Sequence, residues 1–191
     1  MHLNKAILAI VCVAGLCVQA VGQRGAMVRS RNWNELTAQA STIVVGRVAS
    51  ARVEPHPQFK NLQTVVVTLK VSETWKGKAG DTLTFRQFIW DIRDIYEGAT
   101  YHKGEEVLML LNPVNEYGLT SPAGLEQGRF AITYDASGKR YATNGRGNMG
   151  LFNRVGQPSL RPQASAVAKH PGEGPVALDE LRSLIAAGGK K

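Results

Sequence analysis

The chain has 191 residues, 43% of them hydrophobic and 20% charged, and a formal net charge of +8. That balance excludes a wholly disordered chain and fits one domain with extensions. Twenty glycines and only 7% aromatics point to many turns, with no collagen-like period and no internal repeat.

Residues 1–22 read as a secretory signal peptide. A short start with one Lys precedes an uninterrupted apolar run of 13 residues, Ala6 to Val18, and small residues follow around Ala20 and Gly22. The run is shorter than the roughly 20 residues a membrane span needs. An anchor or a buried helix is the alternative for this stretch. Neither Cys12 nor Cys17 follows a small residue, so a lipoprotein signal is not indicated. Both cysteines lie inside the segment, so its removal leaves a chain with no disulfide and no cysteine chemistry. Such a chain is expected to be exported, periplasmic or secreted, and to rely on its apolar core. No later apolar run approaches a transmembrane length.

Residues 23–40 are expected to form an N-terminal segment with a short helix. Asn32 followed by Glu35 is a capping-box pattern, which places the helix at about Trp33 to Ala40. Thr42 to Val53 is β-branched and apolar, a strand that Gly46 should bend and Pro55 and Pro57 should end. Leu62 to Trp75 alternates: Val65, Val67, Leu69, Val71 and Trp75 share one parity, and Thr64, Thr68, Lys70, Ser72 and Thr74 the other. That predicts a strand with one buried and one wet face. A turn at residues 76–81 leads into a second alternating run, Thr82 to about Ile89, so the pair reads as a hairpin. Val107 to Leu111 is continuously apolar, as in a strand covered on both faces. Tyr117 to Leu119 is strand-like. Gly128 to Tyr134 and Lys139 to Thr143 form a second hairpin around Asp135 to Gly138.

Residues 41–143 are therefore expected to form the β domain. With about five strands and a polar or helical insertion between the third and fourth, the expected fold is all-β, a small OB-like five-stranded Greek-key barrel. A sandwich of two small sheets is the rival. Residues 144–175, rich in Gly and Pro, read as a linker. Residues 176–191 read as a C-terminal amphipathic helix and tail, with Leu178, Leu181, Leu184 and Ile185 on one stripe.

Four stretches carry a resemblance: Ser41 to Val48, Val67 to Val71, Trp75 to Gly77 and Lys103 to Leu108. With Gly118 to Gly124 and Gln127 to Phe130, they resemble exported bacterial domains of uncharacterised function. Those domains resemble in turn the netrin-like and metalloproteinase-inhibitor group, which implies an OB fold over about 100 residues. That group's inhibitors use a leading Cys and disulfides. This chain has neither once the first segment is removed, so inhibition by that route is not implied.

Chemistry is thinly marked. Asp91, Asp94 and Glu97 recur at a spacing of three and could face a hard cation on a helical turn, but the same pattern describes a solvated acidic loop. His56, His102 and His170 are scattered, with no zinc spacing. No serine elbow and no phosphate-cradling glycine motif is present. No catalytic residue and no cofactor is indicated. Trp90 could stack on a ligand ring, whereas the parity of Trp75 points to core packing. Six bases and no acid lie between Ala136 and Gly172, among them Arg146, Arg154 and Arg161. That stretch favours an anionic partner or simple solubility. An exported chain has little routine contact with nucleic acid, so the expected partner is an envelope or extracellular protein or an anionic polymer. The expected function is a non-catalytic binding or interaction module. An enzyme whose site is assembled from distant residues is the alternative.

Overall fold

The computed structural model describes residues 29–89, 101–153, 155 and 173–188. The elements run α1 (Trp33–Gln39), β1 (Thr42–Pro55), β2 (Gln63–Lys76), β3 (Thr82–Phe88), β4 (Glu106–Leu111), a 3-10 turn (Leu125–Gly128), β5 (Arg129–Tyr134), β6 (Arg140–Asn144), β7 (Val176–Ala177) and α2 (Leu178–Gly188). The protein is mostly β. All seven strands join one antiparallel sheet in the order β3-β2-β1-β4-β5-β6-β7. Among the described residues no helix is long and apolar enough to cross a membrane.

The five-stranded barrel expected from the sequence is corrected to this seven-stranded sheet, which no strand-to-strand ladder closes. Of these strands, β7 was not anticipated from the sequence. The long β1 pairs with both β2 and β4, and the two-residue β7 adds to β6. A single backbone bond, Thr120 N–H to Arg86 C=O at 2.9 Å, ties the outer edge of β3 to residues 119–122. Those residues meet the end of β4 through an isolated bridge, Leu111 to Pro122.

Local signals are largely realised. Asn32 caps α1: its Oδ1 accepts Glu35 N–H at 2.9 Å, while Glu35 Oε2 accepts Asn32 N–H at 3.0 Å. Gly46 marks a register shift between β1 and β2, because a Cβ there would lie 2.6 Å from Lys70 C=O. Asp135 Oδ1 accepts the amides of Ser137 and Lys139 and so builds the β5–β6 turn, with Gly138 at φ 82°.

The core has two halves, one on each side of β1 and β4. Ile43 and Val45 of β1 and Leu108 and Leu110 of β4 face a cluster with Trp33, Leu36, Phe130, Leu151, Leu178 and Leu181. Val44, Val48, Val107, Met109 and Leu111 face the other, with Val65, Val67, Leu69, Phe85 and Tyr101. The continuous apolar run of β4 is thus a strand buried on both faces, as expected.

Three local expectations are corrected. Thr64 is buried rather than wet, because the Arg86 guanidinium lies over it and donates to its Oγ1 at 2.5 Å. Residues 117–119 form a turn, since Asn115 Oδ1 accepts the amides of both Tyr117 and Leu119. The stretch beginning at Asn144 is not a spacer where it is described. Leu151, Phe152 and Val155 are buried in the helix-side core, and Asn148 is locked to Asn144 by two amide bonds of 2.9 Å.

Candidate functional site

A groove of about 360 Å³ runs along the outer edge of β3, facing residues 112–120. Its walls are mixed. Val66, Leu83, Phe85 and Leu111 supply apolar surface, and Thr84 and Arg86 supply the polar rim. The groove opens because β3 ends the sheet order, and on its outer side Arg86 C=O accepts Thr120 N–H.

The orientation of that edge follows from the register. Val66 faces Arg86 across the β2–β3 ladder, and Arg86 C=O points outward to Thr120. In an antiparallel pair the outward-pointing residues alternate, so Thr82 and Thr84 also present their backbone groups away from β2. The bond from Val71 N–H to Asp81 C=O agrees with this parity. Among the described residues, Thr84 N–H, Thr84 C=O and Arg86 N–H have no backbone partner. Unpaired edges of this kind template the addition of another strand.

The opposite rim is rigid. Asn112 N–H donates to Ser121 C=O at 3.0 Å, and Asn112 C=O accepts Thr120 Oγ1–H at 2.7 Å. Its Oδ1 accepts Gln39 Nε2 at 2.7 Å. Asn115 folds the loop tip, and Gly118 completes it at φ 74°. The result holds Val114 and Tyr117 outward, 64% and 48% exposed. Phe59, on the β1–β2 loop, is 45% exposed and meets Tyr117 edge-on at 5.6 Å. Val114, Tyr117 and Phe59 thus place exposed apolar surface on neighbouring loops.

A second cluster is charged. Glu73 accepts Trp75 Nε1 at 2.9 Å, Arg140 at 2.8 Å and Arg182 at 3.2 Å. Glu106 accepts Arg47 at 3.3 Å and Tyr134 Oη. Burial pushes the Glu73 carboxyl up, but the hydrogen bonds from Trp75 and Arg140 outweigh it and hold the group below the usual carboxylate range. The bond to Glu106 raises Tyr134. Through Glu73 the cluster ties α2 and β6 to β2, and through Glu106 it ties β1 and β5 to β4.

The sequence candidates are not brought together. Trp90, Asp91, Asp94, Glu97, Arg154 and Arg161 lie outside the described residues. Arg146 is half-buried, and its amide bonds Asn144 Oδ1 at 3.0 Å in a turn. His56 is buried, His102 is exposed, and the described residues hold no group of three metal-ligating side chains. Trp75 packs against the core as expected, but on the helix side, opposite Val65, Val67 and Leu69, so the parity it shares with them does not hold across the register shifts of the β1–β2 ladder. The sequence reading missed Thr84, Val114, Tyr117 and Phe59. Their one legible signal was an aromatic or Val beside a proline turn, at Pro57 and Pro113. The chain matches no protein-family model, no curated protein and no solved structure.

Proposed function

We propose that this protein is an exported, non-catalytic binding module that takes an extended peptide segment at the open edge of β3. The observation that carries the reading is that, among the described residues, Thr84 N–H, Thr84 C=O and Arg86 N–H have no backbone partner along a groove with apolar walls. An added strand satisfies those N–H and C=O groups, and its alternate side chains enter the apolar wall or meet Val114 and Tyr117. Export rests on the signal-peptide pattern of residues 1–22. The basic stretch is a weaker basis for a polymer site, because Arg140 is held by Glu73 and Glu106 and Lys139 lies 5.6 Å from the ring of Tyr141. The resemblance to the netrin-like OB group is also proposed here. It is supported by the β1–β2–β3 meander and by β1 pairing with both β2 and β4.

The test uses a displayed library of random extended peptides. Selected peptides should shift and protect the amides of Thr82, Thr84 and Arg86. Thr84→Pro should abolish binding while leaving the fold, because the N–H it removes is not in the ladder. Peptides that map elsewhere, or that bind the Thr84→Pro variant unchanged, would overturn the reading.

A further inference from the structure

His56 is 2% exposed and sits where the β1–β2 loop meets residues 112–118. The backbone N–H groups of Gln58 and Phe59 both converge on its Nδ1, each at 3.2 Å. Its Nε2 lies 2.8 Å from Tyr117 C=O. Two donors aimed at Nδ1 require a lone pair there, so the proton resides on Nε2, which donates to the Tyr117 carbonyl. The ring is the neutral Nε2–H tautomer. Phe59 stacks on it at 5.1 Å with a 27° interplanar angle. One imidazole therefore fixes two loops: it shapes the turn that carries Phe59 and holds the loop that carries Tyr117.

We propose that His56 is an acid-sensitive pin, and that its protonation releases the Phe59 and Tyr117 loops from each other. An imidazolium carries donors at both nitrogens and no acceptor. A proton on Nδ1 would point at two N–H groups, so two hydrogen bonds are lost and three donors crowd one site. The charge would also be created in a buried place. The charged groups on the elements that meet here are Glu54 and Lys60 on the flanking strand and loop, Arg86 on β3 and Glu116 beside Tyr117. Glu54 is paired with Arg86 at 2.7 Å, and Arg86 also reaches Pro55 C=O at 3.4 Å. Among the described residues no carboxylate is hydrogen-bonded to the imidazole, so no anion bonds the charged ring in place. Histidine is the side chain that changes charge between pH 5 and 8, which sets the range to search. The inference concerns the two loops and stands apart from what the groove binds.

The test is hydrogen exchange at single-residue resolution between about pH 7.5 and pH 5, expressed relative to intrinsic exchange rates. Protection of the Gln58 and Phe59 amides should fall by about tenfold or more across the range, while core amides such as Val45 hold theirs. His56→Asn keeps an acceptor near the Nδ1 position but does not titrate there, so its loop protection should be independent of pH. Nitrogen NMR of the wild-type imidazole gives a second readout that needs no variant. It should show the Nε2–H form at neutral pH and a protonation step that coincides with the loss of loop protection. Loop protection that ignores pH, an equal fall in His56→Asn, a simultaneous fall at Val45, or an Nδ1–H tautomer at neutral pH would each overturn the proposal.

Discussion

Glu73 and Arg140 join at 2.8 Å although their strands, β2 and β6, are four steps apart in the sheet. In a flat sheet four steps separate backbones by about 19 Å. A Glu and an Arg at full stretch, with a hydrogen bond between them, bridge roughly 15 Å. The pair can form only because the sheet curls around the helix-side core. Arg182 of α2 reaches the same carboxylate at 3.2 Å and ties the terminal helix into the curl.

This relationship predicts an acid dependence of stability. The folded carboxyl of Glu73 is held below its ordinary range, so its contribution is present above the unfolded pKa of about 4.3 and is lost as pH falls through the lower folded value. Glu73→Gln should cost about 1–2 kcal/mol at neutral pH, and the difference should shrink as pH falls below the ordinary carboxylate range. Urea midpoints of both proteins from neutral pH into acid measure it, and a difference that does not shrink in acid would contradict it.

The two faces of β2 should respond unequally to charge. Val67 is fully buried in the second core and Thr68 is half-buried, facing Thr84 at 3.1 Å. Val67→Asp should cost several kcal/mol, a large share of a typical stability of about 5–15 kcal/mol. Thr68→Asp should cost about 1 kcal/mol. Thermal unfolding of the two variants provides the comparison, with equal losses as the outcome that contradicts it.

Gly46 is required by close approach rather than by a left-handed backbone. An added Cβ would stand 2.6 Å from the Lys70 carbonyl oxygen, a backbone atom with no freedom to swing away. Gly46→Ala should therefore destabilise by about 1–3 kcal/mol, although alanine suits a strand no worse than glycine. A denaturant titration checks this, and a neutral result would mean the β1–β2 register shift can move.

The terminal helix should behave as part of the core. Leu181 is fully buried, between Leu178 and Leu184 on the same stripe. Leu181→Ala should cost about 2–5 kcal/mol. Amides of residues 181–185 should exchange at rates close to those of β4. Rapid exchange there in the wild-type protein would show a helix that is not docked.

Several features could be read without tertiary information because their causes lie within a few residues. The Asn32–Glu35 box, the Asp135 turn, the alternation from Val65 to Leu69 and the continuous run from Val107 to Leu111 are of this kind. Each depends on hydrogen-bond reach or on strand period, which neighbours in sequence decide. The docking stripe of α2 was visible for the same reason. The partners were not visible. That β1 takes both β2 and β4, that Thr64 lies beneath Arg86, and that Leu151 and Phe152 complete the helix-side core all depend on residues brought together from distant parts of the chain. The candidate site belongs to this second class. Thr84 reads as an ordinary strand threonine. Among the described residues it becomes an open edge because the third strand falls at the end of the sheet order and Thr120 bonds Arg86 rather than Thr84. His56 reads as a lone histidine beside a proline, and only the meeting of two loops gives both its ring nitrogens hydrogen-bond partners. Period and capping are local properties of a sequence, whereas edges, burial and tautomers are set by which surfaces the fold brings into contact.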